Sequence, residues 1–170
     1  MANIQIETGR LILRPPQEGD LDGWSQLMAH EEASRFIGGP LEQRAAWASL
    51  SVMAGAWALH GFANFSIVDK ETGLWIGRAG PWEPPGWPGS EIGWALLPSF
   101  WGRGLAHEAA NATINWVREE LGWKHIVHII HPQNLRSIAL AQSLGSKFKR
   151  HLAIGEIGNS ETLLVFGREI

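Results

Sequence analysis

The chain has 170 residues, with 14 lysines and arginines against 17 aspartates and glutamates, for a net charge of −3 at pH 7. That length suits one domain spanning 1–170 with a sizeable core, and no basic excess argues for nucleic acid or a membrane surface as a partner. Cysteine is absent, which excludes disulfides, thiolate metal sites and a cysteine nucleophile and fits a cytoplasmic location. Residues 1–5 carry neither a basic flank nor an apolar run, so no signal peptide or membrane span is expected. Ten tryptophans stand beside no tyrosine at all, so a mechanism that needs a phenol must find another group.

In chain order, Leu11–Arg14 reads as a short strand stopped by Pro15 and Pro16. Residues 20–31 are a predicted helix. After the break at Gly38-Gly39, Pro40 is expected to open a second helix, with Trp47, Leu50, Ala54 and Trp57 on one face and Gly61 at its end. Residues 62–68 and 74–79 form a predicted strand pair around the turn 69–73. The proline-rich stretch 81–89 admits three readings: a rigid connection between strands, a ligand for a proline-recognition module, or a tryptophan-bearing wall of a substrate cleft. Residues 91–97 read as a strand. Residues 105–121 read as an amphipathic helix with Leu105, Ala109, Ala112, Trp116 and Val117 on one face, closed by Gly122. A strand at His125–Ile130, a helix at 134–144 capped by Asn134 and closed by Gly145, and final strands at 147–153 and 161–168 complete the chain. The predicted fold class is α/β or α+β, with a mixed, mainly antiparallel sheet flanked by helices.

The stretch Pro98-Ser-Phe-Trp101-Gly102-Arg103-Gly104-Leu105-Ala106-His107-Glu108-Ala109 carries the most information. Two glycines at a strand-to-helix turn let a backbone approach a ligand closely. The first helical turn offers unpaired N–H groups and the positive end of the dipole, a setting for phosphate or pyrophosphate. It is neither a dinucleotide fingerprint, because His107 stands where the third glycine belongs, nor a Walker A loop, which needs Gly-Lys before Ser or Thr. Pro98-x-x-Trp101-Gly102-x-Gly104-x-Ala106-x-Glu108-Ala109 resembles the acetyl-CoA loop of the GNAT superfamily of N-acetyltransferases, most closely the RimJ/RimL type. The order and spacing of Thr8–Arg14, Glu91-Ile92-Gly93-Trp94, His131–Ser137 and Leu144-Gly145 extend the resemblance over nearly the whole chain. Ser99 stands where the superfamily usually has Gln or Arg, a position that varies within the RimJ/RimL branch.

The resemblance implies a GNAT-like sheet with splayed central strands and direct acetyl transfer from acetyl-CoA, a co-substrate, to a primary amine, with no metal. It implies that backbone N–H groups of Trp101, Gly102, Arg103, Gly104, Leu105 and Ala106 hold the pyrophosphate. An N–H near Leu96 or Leu97 would polarise the thioester carbonyl. A lysine amine, with a pKa near ~10.4, must lose its proton at a cost of about 4 kcal/mol at pH 7, whereas a protein N-terminus at about 7.7–8.0 loses it more readily. Glu91 is the first candidate base. Strand alternation sets it on one face with the small residues Gly93 and Ala95, and a structural, hydrogen-bonded glutamate is the other reading. His128 is second, either a satisfied core histidine between Ile126 and Ile130 or a relay through water.

Many superfamily members place a phenolic acid four residues before the last helix's closing glycine, and Ala141 occupies that position here. Ser137 is offered as a hydroxyl donor to the leaving sulfur, with local backbone capping as its other reading. Asn134 could cap its helix, touch pantetheine, or both. His125, His128 and His131 do not converge at strand period two, so a metal cluster is not expected. The acceptor cleft, around residues 35–40 and 81–89, is expected to be aromatic with few fixed charges. The expected partners are an amine acceptor, either a peptide N-terminus or a small molecule, and a second copy of the chain in a homodimer. An acyl-CoA-binding regulatory domain without catalysis is the alternative to an enzyme.

Overall fold

The structure, a computed structural model, describes residues 4–170, so the part of the N-terminal reading that falls on Met1, Ala2 and Asn3 lies outside the described residues. Eight strands alternate with five helices: β1 (Ile6–Glu7), β2 (Leu11–Arg14), α1 (Leu21–Ala29), α2 (Glu31–Ser34), α3 (Gln43–His60), β3 (Phe65–Asp69), β4 (Trp75–Trp82), β5 (Glu91–Leu96), α4 (Leu105–Glu120), β6 (His125–Ile130), α5 (Leu135–Ser143), β7 (Lys147–Leu152) and β8 (Leu163–Glu169). The strands form one sheet in the order β1-β2-β3-β4-β5-β6-β8-β7. Every pairing is antiparallel except β5 with β6. Among the described residues, no helix is long and apolar enough to cross a membrane.

β5 sorts the layers by its alternation. Ile92 packs with Ala110 and Ile114, and Leu96 with Leu105 and Ala109, so α4 covers one face. Ala95 packs with Leu27 of α1 on the other face. Helix α1 is held in turn by α3, through Trp24, Met28, Ala46 and Leu50.

Four expectations need correction. The helix expected over 20–31 is a 3₁₀ turn at Glu18–Asp20 followed by α1, and Glu31 opens the separate short helix α2 beneath the side-chain cap of His30. Pro40 does not open α3. Leu41 donates its N–H to the Met28 carbonyl at 2.8 Å, which holds this segment against the end of α1, and α3 starts only at Gln43. The inner face of α3 is Ala46, Leu50, Met53 and Trp57, a helical spacing, whereas Trp47 is 56 % exposed and Ala54 faces solvent. On α4, Ala110, Thr113 and Ile114 are buried, while Ala112 and Trp116 are only partly so.

One buried ion pair joins the helical layer to the sheet. Asp20, just before α1, accepts two hydrogen bonds from the Arg14 guanidinium, at 2.8 and 2.6 Å, one from the Gln17 N–H and one from the Ser66 hydroxyl of β3. Burial alone would raise the Asp20 pKa, but these donors hold it below the usual carboxylate value. Its contribution to stability is therefore present at neutral pH and lost as the pH falls through the folded-state value. Asp20→Ala leaves Arg14 without its partner and is expected to cost about 3 kcal/mol or more in urea unfolding at pH 7. The difference from the parent protein should shrink in acid.

Candidate active site

The only parallel pair in the sheet comes apart almost as soon as it forms. Glu91 and Val127 are the one pair in register, and Val127 donates to the Ser90 carbonyl at 2.9 Å. A regular parallel ladder would next join the Ile129 N–H to the Ile92 carbonyl. Two side chains take that rung instead. The Ile129 N–H donates to Glu91 Oε1 at 3.3 Å, and the Ile92 carbonyl accepts from His128 Nδ1 at 2.7 Å. Each backbone group stays satisfied, and the strands part beyond them. A carbonyl can only accept, so Nδ1 of His128 carries the proton. Nε2 faces the Ser146 hydroxyl at 3.0 Å and accepts from it. Burial, aided by the nearby Arg168 charge, pushes His128 down to about 4, so it is neutral at physiological pH. Of the two sequence readings of His128, the geometry matches the satisfied core histidine: it is 1 % exposed, more deeply buried than expected, with both ring nitrogens engaged.

Downstream along β5 the gap exposes a donor. Leu97 gives its N–H to the Ile76 carbonyl of β4 at 2.9 Å, so Leu97 is not the free donor expected of it. Alternation then turns the polar groups of Leu96 to the opposite, open side. The Leu96 carbonyl accepts there from the Trp101 indole at 2.8 Å, and the Leu96 N–H faces the gap.

The glycine loop follows. Trp101 is corrected in the same way as Leu97: its N–H is donated to the Pro98 carbonyl at 3.1 Å. Among the described residues, the N–H groups from Gly102 to Ala106 have no acceptor. Gly102 and Gly104 have φ of 71° and 73°, the left-handed region that favours glycine, and Gly104 caps α4 without any side-chain bond. Glu108 in the first turn of α4 fixes this loop. It accepts from the Thr8 hydroxyl at 2.6 Å, the Arg10 N–H at 2.9 Å and Arg10 Nε at 2.7 Å, and Arg10 Nη1 in turn donates to the Arg103 carbonyl at 2.8 Å. Five amides without an acceptor among the described residues, at the positive end of a helix, fit the pyrophosphate of a coenzyme.

A cavity of about 360 Å³ opens on the other side of the parted strands. Glu91, Trp94, His128, Asn134 and Ser137 all line it, so the residues singled out in sequence lie around one space. Asn134 Oδ1 accepts from the Ser137 N–H at 3.2 Å, capping α5, and the Ser137 hydroxyl accepts from the Trp94 indole at 3.2 Å, which leaves its own proton to give. Glu91 Oε2 accepts from the Trp87 indole at 2.7 Å, so the proline-rich loop does form a wall of the cleft. Burial raises the Glu91 pKa to about 7, against the opposing pull of Trp87, the Ile129 N–H and the Arg78 charge. The cavity lining is aromatic and carries few fixed charges: Arg78 of β4 faces it together with Glu91. Sequence reasoning missed Arg78, although a lone arginine inside the apolar run Trp75–Trp82 was a visible signal. It also gave no role to the Arg10–Glu108 pair, whose partners are 98 residues apart. Among the described residues, no three His, Cys, Asp or Glu side chains are grouped to hold a metal.

Residues 10–147 match the acetyltransferase (GNAT) domain family. An uncharacterized N-acetyltransferase, p20, from Bacillus licheniformis is 32% identical over 142 residues, covering 82% of this chain and 80% of that protein. The crystal structure of an acetyltransferase from Agrobacterium tumefaciens superimposes with a TM-score of 0.86 at 30% identity, over 99% of this chain and 95% of that one. RimL, a ribosomal L7/L12 alpha-N-protein acetyltransferase in complex with coenzyme A, shares the fold with a TM-score of 0.81 at 18% identity, over 98% of both chains.

The lock on the glycine loop is open to a direct check. Glu108→Ala frees Arg10 and with it the Arg103 carbonyl, so tryptic cleavage after Arg103 should rise about tenfold with the fold retained, the scale of one or two charge-assisted hydrogen bonds. An unchanged cleavage rate would show that the loop holds itself.

Proposed function

The chain belongs to the GNAT acetyltransferase family and is an acetyl-CoA-dependent N-acetyltransferase, and on that premise we propose that it acetylates a primary amine, with Glu91 as base and the Leu96 N–H as the carbonyl donor. The observation that carries this reading is the pairing of those two groups at one gap: a carboxyl raised to about 7 on its wall and a backbone N–H directed into it.

Acetyl-CoA supplies the acetyl group as a thioester, and the reaction exchanges the C–S bond for an N–C bond to the amine. The amides of Gly102, Arg103, Gly104, Leu105 and Ala106 bind the pyrophosphate. Leu96 N–H donates to the carbonyl oxygen and strengthens as negative charge develops there. Glu91, its carboxyl raised to about 7 by burial, takes in its ionised form the proton of an entering ammonium and frees the nitrogen lone pair. Ser137, its hydroxyl oxygen already engaged by Trp94, gives its proton towards the departing sulfur and recovers one from solvent, which takes up the second proton that the nitrogen sheds as the amide forms. Asn134 holds the first turn of α5 and thereby Ser137. His128 acts on position only, by keeping β5 and β6 apart. A cavity of about 360 Å³ suits a small amine or the first residues of a peptide, and RimL's peptide chemistry is compatible with either. The non-catalytic alternative was prompted by the missing tyrosine. Membership of an acetyltransferase family and the Ser137 hydroxyl both speak against it.

The base titrates in an accessible range. With an amine that enters as its ammonium, kcat/KM should rise with pH through about 7 and then level as Glu91 becomes ionised. Glu91→Gln should lower kcat by about 100-fold or more and remove that rise, and an unaltered profile would eliminate Glu91 as the base. Ser137→Ala should slow single-turnover acetyl transfer with little change in coenzyme A affinity. Unchanged single-turnover chemistry would remove the role given to Ser137.

A further inference from the structure

Arg78 is a charged group in the cavity whose chemistry acetyl transfer does not use. Its guanidinium carries five N–H donors, yet among the described residues it makes a single hydrogen bond, from Nη1 to Asn64 Oδ1. Its Nε is buried without a partner, and among the described residues no carboxylate lies within ion-pair distance of it. Asn64 is 2 % exposed and held in place, since its amide donates to the carbonyls of Gly80 and Pro81 at 3.1 and 3.2 Å. Its Oδ1 is thereby committed to Arg78. The Trp24 ring supports the guanidinium from one side, 5.6 Å from its centroid. The cross-strand neighbours of Arg78 are Ser66 and Ala95, both small, so neither fills the space over the fork. The Glu91 charge acts on Arg78 only across the cavity, and a partly buried guanidinium with no direct ion-pair partner is costly to keep unless something else pairs it.

We propose that Arg78 binds a carboxylate of the acceptor, so that the substrate is an amine carrying a carboxylate in the same small molecule, as an amino acid does. This rests on the acetyltransferase reading of the same site. Arg78 and Glu91 line one cavity without touching each other. Two opposite charges held apart in this way complement an ammonium and a carboxylate within one molecule. The guanidinium fork matches a carboxylate in a bidentate pair. A phosphate dianion fits less well because Glu91 shares the space. The orientation follows: the carboxylate anchors on Arg78, and the amine is delivered to Glu91 and the gap.

The test compares acetylation of L-amino acids with that of their carboxamides, which keep the amine and lose the negative charge, and of peptides with and without an acidic residue near the N-terminus. The acid is expected to be preferred over its amide by about tenfold or more in kcat/KM, mostly through KM, as one desolvated charge-assisted pair requires. In Arg78→Gln that ratio should fall towards one. Preference for the acidic peptides over the free amino acids would overturn the small-molecule assignment while leaving the carboxylate assignment to Arg78. Acids and amides that react equally well in the parent protein would overturn the proposal, with no variant needed. A preference that survives Arg78→Gln would do so too. In both cases acetyl transfer itself still stands. Coenzyme A release from no amine at all, despite coenzyme A binding, would instead overturn the underlying acetyltransferase reading.

Discussion

The rung that would join the Ile129 N–H to the Ile92 carbonyl is the interaction whose absence organises the molecule. Backbone polar groups inside a sheet cannot be left unpaired, because each orphan costs about 1–3 kcal/mol. Two strands can therefore part inside a sheet only where other groups take over the bonds. Glu91 accepts from one half of the missing rung and His128 donates to the other. The missing rung is therefore satisfied on both sides, and the strands stay parted beyond it. From this follow the Leu96 N–H left facing the gap, the cavity lined by the parted strands, and the burial that raises Glu91.

The two side chains that substitute for the rung differ in what burial does to them. Both lose solvent, and in both the charged form is penalised. For the histidine this leaves a neutral ring at every physiological pH, fixed in one tautomer by a carbonyl that can only accept. For the glutamate it leaves a carboxyl poised near neutrality, with hydrogen bonds from Trp87 and Ile129 keeping ionisation within reach. Two ionisable groups facing the same gap thus divide their work. His128 gives geometry, and Glu91 gives geometry and a titratable oxygen. A second constraint acts at the other end of β5. The glycine loop is tied to the β1–β2 turn through Glu108 and Arg10, so its five free amides are presented by a clamped backbone.

Local signals in the sequence were strong wherever a local rule decides structure. Gly102 and Gly104 announced a tight turn into a helix, the alternation of β5 set Glu91 on the same face as Gly93 and Ala95, and Asn134 was recognisable as the cap of α5. What stayed hidden depended on partners far along the chain. Nothing near Leu97 says that its N–H is taken by Ile76 of β4; the Trp101 N–H, by contrast, is taken locally, in the turn that Pro98 opens. The inner face of α3 was misread because Trp47 looks like a core residue, whereas the smaller Ala46 is the one that meets Trp24 and Met28. Pro40 looked like a helix start, but the tie from Leu41 to Met28 prevails over that local preference. Arg78 was visible as a letter, and its meaning required knowing that no acid in the described chain reaches it.

The claim on which the account turns is that parting the strands leaves Glu91 buried and half-ionised at neutral pH. Carbon-13 NMR of glutamate side-chain carboxyls reads this directly, without any substrate. One resonance should titrate with a midpoint of about 7 and be missing from the Glu91→Gln spectrum. If every glutamate carboxyl titrates in the ordinary range near ~4.3, Glu91 is a solvated surface acid and the gap does not make a base.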